Sequence, residues 1–304
     1  MGGLAFAQEP PRISETVSVG YVMVPFTVLA GNGVPITDLR SSEVRLMVDG
    51  KRVRSDMFEK SQNAPVSFTI LLDGSGSMGL AGKMDSARAA IGALLAHRHA
   101  GDDFSLWIFD ESEARELVPF TDRASAVTNA LATVTPFGKT AFFDALATMP
   151  ERSLLGKNPS RAIILLSDGI DNASKLTRED LAQLLQGVSV PIYPLGIRDP
   201  REYAGETRTH EELSDIGVLD AVAKLTGGKL YLGNRPQQIA LAVAGIEKDL
   251  RAQYLIGFAP TGQGAVKYRR ISLQLAGRVS AVRVRAGYYG TEPPLFGIRE
   301  RKKS

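Results

Sequence analysis

Hydrophobic and polar positions along the chain follow two different periods, and the change from one to the other organises the reading. Residues 16–58 have the period of strands. "VSVGYVMVPFTVLA" is rich in Val and aromatic residues, "GNG" at 31–33 marks a turn, and "VRLMVDGKRV" alternates around Asp49-Gly50, a strong hairpin signal. The polar stretch 59–65, "EKSQNAP", ends in proline and reads as a boundary. From Val66 onward short apolar runs alternate with helical periods, the pattern of a sheet covered by helices on both faces. Strands are predicted at 66–73, 103–109, 115–120, 161–167, 190–196 and 229–232. Met84, Ala87, Ile91, Leu94 and Leu95 form one apolar helix stripe, and Leu181, Leu184, Leu185 and Val188 form a second. Thr177, with Asp180 three residues later, introduces that second helix as a capping box.

After a helix at about 235–251 the strand patterns return in "QYLIGFAP" and "RRISLQLAGRVSAVRVRAGYY", where Ile271, Leu273 and Leu275 alternate before a turn near Gly277. An isolated hairpin is marginally stable in water, so the strands on each flank need something to pack on. The expected fold class is α/β. A doubly wound, mostly parallel, Rossmann-like sheet at 61–251 is inserted in a smaller, discontinuous β-sandwich-like domain built from 8–60 and 252–290. Residues 1–7 read as the end of a signal peptide and 291–304 as a basic tail.

Composition narrows the function classes. The chain has 304 residues, 44% hydrophobic and 23% charged, room for one large domain and a smaller one. Cysteine is absent, which excludes disulfide frameworks, zinc–thiolate sites and Cys nucleophiles. No apolar run approaches the ~18–20 residues that span a bilayer, so no transmembrane segment is expected and the mature chain should be soluble. Ala5-Phe6-Ala7 ahead of Gln8 is an A-x-A cleavage pattern, which points to an exported protein of the periplasm, the cell envelope or the extracellular space. The net charge of +3 is uneven: Lys+Arg against Asp+Glu is 7 to 7 over 1–65, 19 to 24 over 66–251 and 10 to 2 over 252–304. The basic C-terminal part ends in "RERKKS". Arg283 and Arg285 alternate with Val282 and Val284 as a solvated strand face would, and no nucleic-acid partner is expected.

The candidate chemistry sits in "TILLDGSGSMG", residues 69–79, where a buried strand ends in one carboxylate, two hydroxyls and glycines. Gly74-Ser75-Gly76-Ser77-Met78-Gly79 satisfies G-x-G-x-x-G, which raises a dinucleotide-binding oxidoreductase as an alternative. Asp73 would aim a carboxylate where a pyrophosphate belongs, however, and "LAGKMD" delays the helix whose N-terminus should bind the anion. A P-loop fails on Gly82-Lys83 and on Gly138-Lys139-Thr140, both of which lack the first glycine. Nucleophilic catalysis needs a base, and His97, His99 and His210 have spacings that suit solvated or capping roles. A metal-dependent hydrolase has the same need. A hard divalent cation, Mg2+ with Mn2+ or Ca2+ as alternatives, takes oxygen ligands. Asp73, Ser75 and Ser77 can converge on one from alternate positions of an extended loop. Thr140, ahead of "AFFDAL", and Asp168, ending "RAIILLSDG", can complete the set from neighbouring strand ends. Asp110 and Asp171 read as strand-end and loop acids.

D-x-S-x-S at 73–77, Thr140 ahead of a helix and Asp168 in "SDG" resemble the metal-ion-dependent adhesion site of von Willebrand factor A domains, over about residues 66–251. The flanks "VPITDLRSSEVRLMVDGKRVRSDMFEK", "QYLIGFAP", "KYRRISLQL" and "VRVRAGYYG" are similar to the bacterial VWFA-related family first described in Acidobacteria. The resemblance implies that Ser75, Ser77 and Thr140 coordinate directly while Asp73 and Asp168 act largely through waters. It also implies a non-enzymatic, exported binding module whose protein partner offers an Asp or Glu carboxylate to the metal. Where such domains often have Gly-Gly-Thr, this chain has Gly138-Lys139-Thr140; Lys139 either attracts an acidic ligand or crowds the ion.

Overall fold

The computed structural model describes residues 21–61, 64–111, 113–198, 215–261, 264–276 and 281–293. The strand reading of 16–20, the A-x-A pattern before Gln8, His210, the turn near Gly277 and the basic end lie outside the described residues.

The chain opens with β1 (Val22–Leu29), β2 (Val44–Val48), β3 (Lys51–Arg52) and β4 (Met57–Lys60). Asp49 and Gly50 both adopt positive φ between β2 and β3, as the tight Asp-Gly turn requires. There follow β5 (Val66–Asp73), α1 (Lys83–Ala96), β6 (Asp103–Phe109), β7 (Arg115–Thr121), α2 (Ala124–Ala132), α3 (Phe142–Ser153), β8 (Ser160–Ser167), α4 (Arg178–Leu185) and β9 (Ile192–Gly196). Then come α5 (Asp215–Thr226), β10 (Tyr231–Leu232) and α6 (Pro236–Arg251). The chain closes with β11 (Tyr254–Phe258), β12 (Lys267–Leu275), β13 (Ala281–Val284) and β14 (Gly287–Gly290).

The central sheet has the order β10-β9-β8-β5-β6-β7, parallel throughout except for the antiparallel edge strand β7. Every residue of β5 is buried, because parallel strands covered on both faces have no polar side. Phe68, Ile70 and Leu72 join the core beneath α1, α2 and α6, while Leu71 points into the other core with Phe142, Leu146 and Met149 of α3. The α1 stripe is buried in full. In α4, Leu181 and Leu185 are buried but Leu184 is exposed, so the second stripe is narrower than its apolar residues suggest. The helix is only eight residues long, and Leu184 falls on its outer side. The Thr177–Asp180 capping box is present.

The outer strands form two further sheets, β13-β1-β11-β4 and β14-β12-β2-β3, that enclose a core of Val24, Phe26, Leu46, Tyr254, Phe258 and Ile271. Strands from the two ends of the chain are interleaved: β11 lies between β1 and β4, and β12 pairs with β2.

The structure corrects the reading of Arg283 and Arg285 as a solvated face. Val282 and Val284 pack on the sandwich core. The opposite face of β13 meets the helical domain: Arg283 Nη1 donates to Asp249 Oδ2 of α6 at 2.9 Å, and Arg285 is buried. Alternation shows that two residues share a face, but it does not say whether that face meets water or a neighbouring domain.

Removing one member of a mostly buried ion pair leaves an uncompensated charge, so Arg283→Ala should destabilise the chain by about 3 kcal/mol in urea unfolding. Fragments test the proposed division of the chain. Residues 61–251 should fold alone, whereas 8–60 should give no cooperative melt, because β1 takes both of its partners from the C-terminal strands.

Candidate metal centre

Strand order reverses direction around β5: α1 leads to β6 on one side, and β8, β9 and β10 build outward on the other. Parallel α/β sheets leave a crevice at the C-terminal strand ends where this occurs. Asp73 ends β5 there, and Asp168 follows Ser167 at the end of β8.

Asp73 is fully buried. Its Oδ1 accepts from the Ser75 amide at 3.0 Å and its Oδ2 from the Ser167 hydroxyl at 2.6 Å. Burial nevertheless pushes its pKa up to about 6; the serine hydrogen bonds oppose the shift, and the nearby Asp168 adds to it. Ser75 Oγ and Ser77 Oγ lie 3.1 Å apart, so the two hydroxyls point to one place.

The alternating glycines let this loop lie flat on its neighbours. A Cβ at Gly74 would stand 2.6 Å from Ile108 Cδ1, and one at Gly76 would stand 3.2 Å from the Gly138 carbonyl. The Phe137 amide donates to Gly74 O at 2.8 Å and the Gly76 amide to Gly138 O at 3.0 Å, which stitches the Asp73–Gly79 loop to the segment leading to Thr140.

Thr140 is buried immediately before α3. Its amide donates to Asn172 Oδ1 at 2.8 Å, and its carbonyl accepts from the amides of Asn172 and Ala173. Thr140 is thereby tied to the loop that carries Asp168. The Asp171 carboxylate accepts from the Phe142 amide and from Ser174 Oγ, and so caps α3 from a distant loop. Asp110 contributes its carbonyl to the Ala141 amide. Lys139 is exposed, with its amide donating to Glu111 at 3.4 Å. His97 and His99 are exposed beyond the far end of α1, about 20 Å from the site at a rise of ~1.5 Å per residue.

The residue that sequence reasoning misses is Lys83. Its ammonium donates to Asp168 Oδ2 at 2.6 Å, while Asp168 is fully buried and Lys83 is largely so. In the sequence Lys83 stands out only as the lysine of a failed P-loop; nothing in its spacing announces a contact 85 residues away. Ser167, the buried donor to Asp73, is equally silent within "SDG". The donor set is a hard one: two buried carboxylates and three hydroxyl-bearing side chains, with oxygen as the only ligand atom, which fits a small divalent cation. Among the described residues no three His, Cys, Asp or Glu side chains gather at one point, so a cation here would depend on hydroxyls as well as carboxylates.

A family model for the von Willebrand factor type A domain matches residues 68–170. Over this span the chain is similar to a von Willebrand factor type A domain. The matched residues run from within β5 to just beyond β8 and include all five candidate residues. A curated relative from Borreliella burgdorferi, described as an uncharacterized protein, is 27% identical over 97 residues. That alignment covers 29% of this chain and 28% of the relative's own length. Among solved structures, a von Willebrand factor type A protein from Catenulispora acidiphila aligns with 16% identity and a TM-score of 0.48, over 88% of this chain and 73% of that one. An aerotolerance-related membrane protein from Bacteroides fragilis aligns with 20% identity and a TM-score of 0.46, over 61% of this chain and 98% of that one.

The roles of the loop residues separate in a stability measurement. Asp171→Ala removes the cap of α3 and should cost about 1–2 kcal/mol in urea unfolding. Lys139→Ala, at an exposed position, should stay within about 0.5 kcal/mol of the unaltered protein.

Proposed function

We propose that the von Willebrand factor type A domain is a metal-dependent protein-binding module. Asp73, Ser75, Ser77, Thr140 and Asp168 hold a divalent cation, Mg2+ in the first instance and Mn2+ or Ca2+ as alternatives. A glutamate or aspartate of a protein partner completes the ion's shell. The observation that carries this reading is the gathering of Asp73, Ser75 and Ser77 on one loop that is hydrogen-bonded to the Thr140 segment, beside the buried Asp168. Domains of this family are in general interaction modules and not enzymes. Neutral hydroxyls around the ion would leave it electrophilic enough to bind an outside carboxylate.

The surroundings suit a protein partner. Leu80 is 65% exposed and Phe137 is 77% exposed, on the two loops that the Gly74 and Gly76 hydrogen bonds join. Large exposed apolar side chains beside a charged centre are common at protein interfaces, where aromatic anchors dominate the binding energy. Lys139, exposed next to Thr140, would favour an acidic partner. Lys83 is assigned a restraining role: it neutralises Asp168 before the cation arrives and competes with the cation for that carboxylate. Export to the periplasm, envelope or exterior is part of the proposal, resting on Ala5-Phe6-Ala7. Among the described residues no helix is long and apolar enough to cross a membrane.

Titrating the full chain with Mg2+ or Mn2+ while following thermal unfolding tests the metal reading. A cation at a hundredfold excess over its Kd should stabilise the fold by about 2.7 kcal/mol. Thr140→Ala and Asp73→Ala should abolish most of that gain, and chelator should reverse it. A protein whose melting responds to neither cation would refute the reading. Lys83→Gln separates the restraining role from the site itself: it should lower the melting temperature without metal and tighten Mn2+ binding by calorimetry about tenfold, roughly 1.4 kcal/mol.

A further inference from the structure

At the opposite end of the central sheet from Asp73, where β8 begins, the sandwich and the helical domain together line a partly open cavity of about 460 Å3. A cavity of this size accommodates a small organic molecule. Its wall includes Arg161 and Ser160 at the start of β8, Ser189 before β9, Gln253 before β11, and Arg285 and Tyr288 from the β13–β14 region. Among the described residues no aspartate or glutamate lines it.

Arg285 is only 3% exposed. Its Nη2 donates to the Met23 carbonyl at 3.1 Å, its guanidinium lies 6.0 Å from the centre of the Tyr288 ring, and its Nε has no hydrogen-bond partner among the described residues. Arg161, half-buried and lining the same cavity, donates from Nη2 to the Gly156 carbonyl at 3.1 Å and also has an unpartnered Nε. Neither forms an ion pair among the described residues.

The other largely buried arginines are ion-paired, although Arg251 and Arg283 share the unpartnered Nε. Arg251 is paired with Asp102 and Glu247, Arg283 with Asp249, and Arg269 with Asp49. A buried cation without a counter-ion is costly, and buried charges are ordinarily paired. Burial lowers the Arg285 pKa to about 10 against the opposing influence of Tyr288 and Tyr268, with no carboxylate among the groups that act on it. The cavity therefore contains two guanidinium groups, hydroxyls and an amide, and no carboxylate among the described residues to neutralise the charge.

We propose that this cavity is a binding site for a small oxyanion, a molecule carrying a carboxylate or phosphate group that pairs with Arg285 and Arg161. Planar guanidinium groups match the geometry of both anions. Tyr289, whose ring stands over Gly187 so closely that a Cβ there would lie 2.9 Å from it, borders the opening and is half exposed. The site is remote from the metal centre: the eight residues of β8 separate the two at ~3.3 Å per residue. Because it joins both domains, its occupant would stabilise their docking.

Thermal unfolding of the full chain, in chelator and at an ionic strength held constant with sodium chloride, tests this with two probes. Inorganic phosphate represents one source of the anion and malonate the other. At least one should raise the melting temperature saturably, and which one does so identifies the anion class. Arg285→Met should weaken that response at least tenfold. In chloride alone this variant should melt no more than slightly lower than the unaltered protein, since the hydrogen bond lost to the Met23 carbonyl is offset by removal of a buried charge that had no counter-ion. Arg161→Gln, at a less buried position, should weaken the response severalfold and keeps the test decisive if Arg285→Met does not fold. A melting temperature indifferent to both anions, or a response equally strong in Arg161→Gln and in any folded Arg285→Met, would overturn the proposal. A linear rise shared by all variants is the general salt effect and counts against a site.

Discussion

The constraint on which the rest depends is the burial of Asp73 at the end of a strand that has no polar side. A carboxylate in that position is tolerable only if its charge is met, and the protein meets it in several ways at once. The Ser75 amide and the Ser167 hydroxyl bond its two oxygens. The loop that follows must therefore turn back immediately over the strand end. Only glycine can occupy positions 74 and 76 against Ile108 and the Gly138 carbonyl without displacing them. Because the loop lies flat, its hydrogen bonds reach the segment before α3, and the Asn172 and Asp171 side chains then fasten that segment to the loop after β8. One buried charge thus dictates the arrangement of three loops.

Charge is treated in the same way at the boundary between the domains. Asp249 on α6 accepts from Arg283 on β13 and from Tyr231 on β10, so a single carboxylate joins the sandwich to the helical domain. Within the helical domain, Asp102 near the start of β6 likewise gathers Arg251 and the Val66 amide. Arg285 stands apart from these ion-paired groups, and that contrast, more than the size of the cavity beside it, is what asks for a ligand.

Much of the fold was legible because its strongest signals are local. The central strands are continuous apolar runs, so β5 and β6 have the bounds that their composition suggests, and the Thr177–Asp180 cap is written in two residues. What could not be read depends on what a surface meets. The alternation of Arg283 and Arg285 with valines is the same whether the arginine face touches water or α6. Leu184 has the chemistry of a core residue but falls on the open side of α4. At the candidate centre, the D-x-S-x-S spacing stands out because five consecutive residues form it. Lys83 and Ser167 touch acids 85 and 94 positions away, and no local pattern records such contacts.

Whether this cluster of oxygens holds a cation is decided by a crystal structure of the chain grown with Mn2+ and its anomalous difference map. One strong peak is expected about 2.1 Å from Ser75 Oγ, Ser77 Oγ and the Thr140 hydroxyl, with Lys83 withdrawn from Asp168. A map without a peak at that position, or with the manganese bound elsewhere and the Lys83–Asp168 pair intact, would contradict it.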